Sequence, residues 1–170
     1  MTINEARELI ASAILPAATH QLWTDLGCGA GIFSYALAGL LPNGSRIICV
    51  DKEIQQIKPT YNEITLEFKK ADIQEISFLP HSLSGVLMAN ALHYIQQQQE
   101  FVERIYGYLH QHASCIIVEY DTDSPNPWVP YPISFDRLKK LFGKYGEVQK
   151  LNERPSLYNR ARLYACQVRW

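Results

Sequence analysis

No apolar stretch in this 170-residue chain approaches the roughly 18 consecutive residues that a membrane-spanning helix requires, so no membrane association is expected. The N-terminus carries Glu5 and Glu8 where a secretory signal would be basic, and export is therefore not expected either. Cysteine is sparse: Cys28, Cys49, Cys115 and Cys166 lack the paired short spacing of a zinc site and read as reduced core residues of a cytoplasmic protein. His110 and His112 beside Cys115 fit a helix end better than a metal centre, and no metal is expected. Internal repeats are lacking, and the glutamine run at residues 96–99 is too brief to count as low complexity. The length argues for one domain over residues 1–170, with residues 1–20 as a covering helix and linker. Such a chain buries about 70% of its unfolded surface on folding.

Several nucleotide signatures are missing as well. Residues 39–46 have the outline of a phosphate loop, but Ser45 stands where the lysine must be, and no Tyr-x-x-x-Lys pair of a short-chain dehydrogenase occurs. Charge of one sign is missing only in the sum. Residues 134–170 hold nine Lys or Arg against three Asp or Glu, and the formal net charge of the whole is −1. The basic share falls partly on Lys139, Lys140, Lys144 and Lys150, which suit the solvent faces of a last helix and an edge strand, where lysine blocks edge-to-edge aggregation. A docking patch for nucleic acid is not favoured, because no aromatic residues interleave with these charges as a stacking platform would need.

What is present begins at residues 25–31, Asp-Leu-Gly-Cys-Gly-Ala-Gly, between the apolar run Leu22–Leu26 and a helical pattern over residues 32–41. Three glycines at alternate positions let the backbone turn sharply and leave no side chain between its peptide groups and a ligand. Dinucleotide sites require Gly-x-Gly-x-x-Gly/Ala, and the last small position is here the branched Ile32. Asp25 and the pattern Gly27-x-Gly29-x-Gly31 instead resemble motif I of the Rossmann-like (class I) S-adenosylmethionine-dependent methyltransferases. A second strand over residues 46–50 ends on Asp51, twenty residues past Gly31, where a carboxylate can accept both hydroxyls of a ribose.

That resemblance implies S-adenosyl-L-methionine as cofactor and a set of residues around it. Gly27, Cys28, Gly29 and Gly31 would form the loop, with Asp51 and Lys52 at the ribose. After a third strand at residues 64–69, Asp72 looks like the family's contact to the adenine amino group and Ile73 like the residue against the ring. Asn90-Ala91-Leu92-His93-Tyr94 resembles the segment after strand four in small-molecule methyltransferases, where Asn90 and Ala91 would touch the amino-acid part of the cofactor. The implied fold is a three-layer α/β/α, doubly wound and mostly parallel sheet of seven strands, closed by an antiparallel C-terminal edge hairpin. Its ligand crevice would lie where strand order reverses, between the first and fourth strands.

Along the chain, Thr2 with Glu5 has the form of a capping box, and its helix, expected to run towards Pro16, would cover the cofactor end of the sheet. A short helix interrupted by proline is expected over residues 53–61, a buried strand over 85–89, a helix over 99–109, a fifth strand over 114–120, a long helix at Phe135–Phe142, and a strand pair at 146–151 and 162–168. His93 is the base best placed by position, and Tyr94 is counted with it as catalytic. Tyr94, Tyr120, Trp128 and Tyr131 are the expected walls of the acceptor pocket, and Glu119 and Asp121 stand where a carboxylate would orient a substrate. Residues 121–132, with four prolines, read as a rigid loop over that pocket. Asn126-Pro127-Trp128 is superficially similar to the Asn-Pro-Pro-Tyr signature of amino-group methyltransferases but follows the wrong strand. The expected activity is methyl transfer to a small molecule. An RNA or protein acceptor docked on the basic C-terminal part, and a non-catalytic nucleotide-binding module, are the alternatives.

Overall fold

The apolar runs bounded by turn residues lie side by side as parallel strands, because each is buried on both faces and only a sheet covered on both sides satisfies that. The computed structural model describes residues 1–156 and 161–169. Its elements are α1 (Ile3–Ile10), β1 (Leu22–Leu26), α2 (Ile32–Ala38), β2 (Arg46–Asp51), β3 (Thr60–Tyr61), β4 (Ile64–Lys70), β5 (Leu83–Ala89), a 3₁₀ turn (Leu92–Tyr94), α3 (Gln98–Tyr106), β6 (Leu109–Tyr120), α4 (Phe135–Phe142), β7 (Glu147–Pro155) and β8 (Arg162–Arg169). The sheet order is β3-β4-β2-β1-β5-β6-β8-β7. Pairing is parallel from β4 through β6, while β8 runs antiparallel to β6, and β7 to β8.

The sheet therefore has eight strands where seven are expected. The extra one is the two-residue β3, which pairs antiparallel with the start of β4. It replaces the helix expected over residues 53–61. Asn62 and Glu63, at φ 49° and 60°, form the two-residue hairpin turn whose twist matches paired strands, so the chain before them is drawn into the sheet edge.

One face of the sheet carries α1 and α2, whose Leu9, Ile10, Phe33 and Leu37 pack with Trp23, Ile47 and Ile116. The other carries α3 and α4, whose Phe101, Ile105, Leu138 and Phe142 pack with Val86, Met88 and Ile117. This is the three-layer arrangement expected. The Thr2–Glu5 capping box is formed, with Glu5 N donating to Thr2 Oγ1 at 3.2 Å and Thr2 N donating to Glu5 Oε2 at 2.7 Å. α1 ends at Ile10, short of the expected run, and lies on α2 and the β7–β8 hairpin. No residue of α1 itself borders the crevice above the glycine loop; Met1, just ahead of its N-cap, does. In the centre, Gly85 of β5 lies under the fully buried Trp23: a Cβ there would stand 2.4 Å from the indole ring.

Order reverses between β1, whose chain proceeds to β2 on one side, and β5, which proceeds to β6 on the other. The loops following these two strands consequently face each other at the carboxyl edge.

Candidate active site

The glycine loop is pinned to the sheet from below. Gly27 N and Cys28 N both donate to the Val50 carbonyl, at 2.8 and 3.0 Å, and Gly29 N donates to Asp51 Oδ2 at 2.8 Å. Glu53 N donates to the other carboxylate oxygen at 2.9 Å, which fixes Asp51 in place while leaving lone pairs on both oxygens. Gly27 is required on two counts. Its φ is +81°, and a Cβ would meet that of Ala91 at 2.7 Å, so the two facing loops touch there. A Cβ on Gly29 would meet no protein atom within 4 Å, which leaves the space above it open for a ligand.

Three cavities meet at Asn90. The first, about 300 Å³, is bordered by Asp25, Gly27, Cys28, Gly29 and Tyr120, with Arg154 at its rim. The second, about 420 Å³, is bordered by Asp51, Lys52, Asp72, Ile73, Ala91 and Tyr94. The third, about 740 Å³, is bordered by His93, Tyr94, Tyr120, Asn126, Trp128 and Val129. Asn90 borders all three. It holds a left-handed φ of 53°, a strained conformation for a side-chain-bearing residue, and its backbone N donates to the Val118 carbonyl at 2.8 Å.

Two acceptors at this junction are buried without a partner, Asp25 Oδ1 and Asn90 Oδ1. Asp25 is 1% exposed; its other oxygen accepts from the Ser34 hydroxyl at 2.5 Å. Burial pushes its carboxyl up to about 7, against the lowering effect of the Ser34 hydrogen bond and with a smaller contribution from the Asp51 charge. The Cys28 thiol is held far above the usual thiol range, first by its hydrogen bond with Cys49 and then by burial, so it is no nucleophile. Orphaned acceptors, an uncovered glycine and a braced carboxylate together fit an adenosyl amino acid: an ammonium or amino group for the acceptors, the main chain of the ligand over Gly29, and hydroxyls for Asp51.

At the third cavity the 3₁₀ turn Leu92–Tyr94 presents His93. The imidazole is 2% exposed, and its Nδ1 lies 2.6 Å from Oε2 of Glu119, itself fully buried on β6. Glu119 Oε1 accepts from the His93 backbone N at 3.2 Å. The ring packs against Tyr94 and Tyr120, with centroids 4.4 and 6.2 Å away.

The crevice thus brings together the sequence-predicted residues except Gly31, Tyr131, Glu119 and Asp121. Gly31 supplies the left-handed φ of 79° that admits α2, but its missing Cβ makes room for Ile57 and Tyr35, not for the cavity. Tyr131 does not wall the acceptor cavity: its backbone N donates to the His93 carbonyl at 3.0 Å while the residue is 38% exposed. Glu119 does not reach a substrate, because it is fully buried with both oxygens turned to His93 and does not border the cavity, and Asp121 instead accepts from Phe135 N at the start of α4. Arg104 is a further residue of the site: its guanidinium donates to the Ile73 and Ile76 carbonyls at 2.9 and 2.8 Å and so holds the Asp72 loop. Nothing local announced that role. The pairing of Glu119 had one signal, an ionisable residue inside an apolar strand, where a charge needs a partner.

The topology and the crevice define an α/β protein of the Rossmann-like class, with a cleft at the switch point of its sheet that fits an adenosyl ligand. The chain belongs to the methyltransferase domain family, whose model matches residues 24–117, and is an S-adenosylmethionine-dependent methyltransferase of class I. No curated protein sequence matches it. Among solved structures it is similar to Burkholderia thailandensis 1,6-didemethyltoxoflavin-N1-methyltransferase, crystallised with 1,6-didemethyltoxoflavin and S-adenosylhomocysteine, at 18% identity over 98% of this chain and 77% of that one, with a TM-score of 0.68. The YcgJ protein of Bacillus subtilis aligns at 13% identity over 98% of both chains, with a TM-score of 0.72. A Haemonchus contortus phosphoethanolamine N-methyltransferase 2, in complex with phosphomonomethylethanolamine and S-adenosylhomocysteine, aligns at 13% identity over 98% of this chain and 52% of that one, with a TM-score of 0.71. Among the described residues no helix is long and apolar enough to cross a membrane.

Proposed function

We propose that the protein, acting as one domain over residues 1–170 in the cytoplasm, transfers a methyl group from S-adenosyl-L-methionine to a small-molecule acceptor by in-line displacement. The observation that carries this reading is the meeting of three cavities at Asn90, two flanking the glycine loop and one walled by aromatic side chains. When bound, S-adenosylmethionine supplies a methyl group on a positively charged sulfur that leaves as a neutral thioether. Asp51 would accept the ribose hydroxyls with Lys52 beside it, Asp72 would accept from the adenine amino group, and Ile73 would flank the ring together with Ala91, which borders the cavity of Asp51 and Asp72 and not the one expected for the amino-acid end. Asp25 and Asn90 take the amino-acid end over Gly27, Cys28 and Gly29. Tyr94, Tyr120 and Trp128 hold the acceptor, and His93 removes its proton. Alignment of this kind is worth up to about 7–11 kcal/mol of a barrier.

Small acceptors are favoured because two similar structures carry small substrates, a didemethyltoxoflavin and a phosphomonomethylethanolamine. A macromolecular acceptor on the basic C-terminal part is not: Lys150 is paired with Glu153 at 3.0 Å and stands over the Phe135 ring, and Lys144 stands over Tyr145. The four buried free cysteines suit a reducing compartment. Calorimetric titration tests the reading: S-adenosylhomocysteine binds and NAD(H) does not. Binding of NAD(H) alone would overturn it.

A further inference from the structure

We infer that Glu119 is a positioning residue that fixes the tautomer of His93, and that the acceptor is an uncharged planar molecule bearing an acidic O–H or N–H. The inference rests on the methyl-transfer reading. Both oxygens of Glu119 are met by groups of one residue, Oε1 by the His93 backbone N–H and Oε2 by Nδ1 at 2.6 Å. An ionised carboxylate only accepts, so Nδ1 carries the ring proton and Nε2 keeps its lone pair. His93 borders the 740 Å³ cavity, and its ring is fixed by Glu119 and packed against Tyr94, with Tyr120 farther off at 6.2 Å, so the orientation of that lone pair is set. A buried charge on Glu119 is tolerable only beside such donors, and it stabilises the imidazolium formed when Nε2 takes a proton.

The walls specify the acceptor. Among the described residues that border the cavity there is no Asp, Glu, Lys or Arg; the polar groups are Asn90, His93, Asn126 and the tyrosine hydroxyls, and the rest is aromatic ring and Val129. Among these described residues a phosphate or carboxylate finds no counter-ion, whereas a flat ring finds faces to stack on. Asn126 Oδ1 accepts from the backbone N of Trp128 and of Val129, at 3.0 and 3.1 Å, and this turn holds the indole at the mouth. In each turnover the acceptor proton passes to Nε2 and on to water. The new bond from acceptor to methyl forms as the methyl–sulfur bond breaks, with that electron pair remaining on sulfur.

The test has two readouts. In the cofactor-free protein, nitrogen NMR of labelled histidine in its neutral form is expected to show His93 protonated at Nδ1 and bare at Nε2, and Glu119→Gln to mix the two tautomers. A proton on Nε2 in the unmodified protein would overturn the positioning role whether or not the variant folds. With S-adenosylhomocysteine present, 4-nitrophenol is expected to bind saturably, with its yellow anion enriched. Glu119→Gln should reduce the ratio of bound anion to neutral phenol about tenfold, the effect of losing one charged hydrogen bond, and Glu119→Asp should restore part of it. Saturable binding of phosphoethanolamine without binding of 4-nitrophenol would overturn the acceptor class. Failure of S-adenosylhomocysteine to bind would instead strike the methyl-transfer reading, and the imidazole nitrogens would still report on Glu119 separately.

Discussion

Replacing Gly29 by alanine separates the folding role of the glycine loop from its binding role. At φ +48° an L side chain costs about 1–2 kcal/mol, and the added Cβ meets no protein atom within 4 Å. In a chain of this size such a cost lowers the melting temperature by only a few degrees. Gly29 borders the 300 Å³ cavity with Asp25 and Cys28, however, and the methyl group is expected to stand between the loop peptides and a ligand lying on them. Displacing a ligand by one carbon there breaks one or two hydrogen bonds to a charged group, at about 1.5–3 kcal/mol each, so affinity for S-adenosylhomocysteine should fall about tenfold or more. Gly27→Ala is the control: with φ +81° and a Cβ 2.7 Å from that of Ala91, it must push back the segment that carries His93, and both stability and binding should fall. Calorimetry and a thermal melt on the two variants read this directly. Unchanged affinity in folded Gly29→Ala would mean that the ligand does not lie over the loop.

Asp51→Ala should weaken S-adenosylhomocysteine binding by about 1–2 kcal/mol or more, measured by the same titration, because it removes acceptors for the ribose and frees Gly29 N, now held at 2.8 Å. Asp25 makes stability depend on pH in a particular direction. Its carboxyl is raised from 3.8 to about 7 in the folded protein, so the folded state binds the proton more tightly. The stabilisation is complete below about pH 4 and is lost as pH rises through 7, at up to about 1.4 kcal/mol per pH unit. Denaturant titrations from pH 4 to 7 should show this slope, and Asp25→Asn should flatten it; a slope of the opposite sign would refute the assignment. Glu5, held down from 4.5 to about 2 first by its hydrogen bond from Arg154, contributes a slope of the opposite sign below about pH 5, so the part of the titration from pH 5 to 7 reports on Asp25. Gly85→Ala should cost about 1–3 kcal/mol or more in urea unfolding, because the new Cβ would stand 2.4 Å from the immobile Trp23 ring.

The strand-turn-helix at the glycine loop, Asp51 at the tip of the second strand and the layered order of elements were all legible in the chain itself. They depend on local chemistry: glycines that admit positive φ, β-branched runs that need burial on two faces, and a capping box whose members lie three residues apart. Local chemistry also misled in places. Proline and polar residues over 53–61 suggested a broken helix, but pairing with β4 through Asn62 and Glu63 outweighed a weak propensity. Tyr131 looked like one more aromatic wall, yet it is the backbone of that residue that the 3₁₀ turn uses.

Glu119 and His93 lie 26 residues apart, on a strand and on the turn after its neighbour, and no periodicity links them. Only the parallel pairing of β5 with β6, with Ala89 beside Val118, sets the carboxylate next to the imidazole. The same pairing gathers three cavities around Asn90. Local propensity decides which elements exist, because it acts through neighbours in the chain; which side chains share a cavity is decided by register across the sheet, an interaction between residues far apart that becomes definite only when the whole core packs.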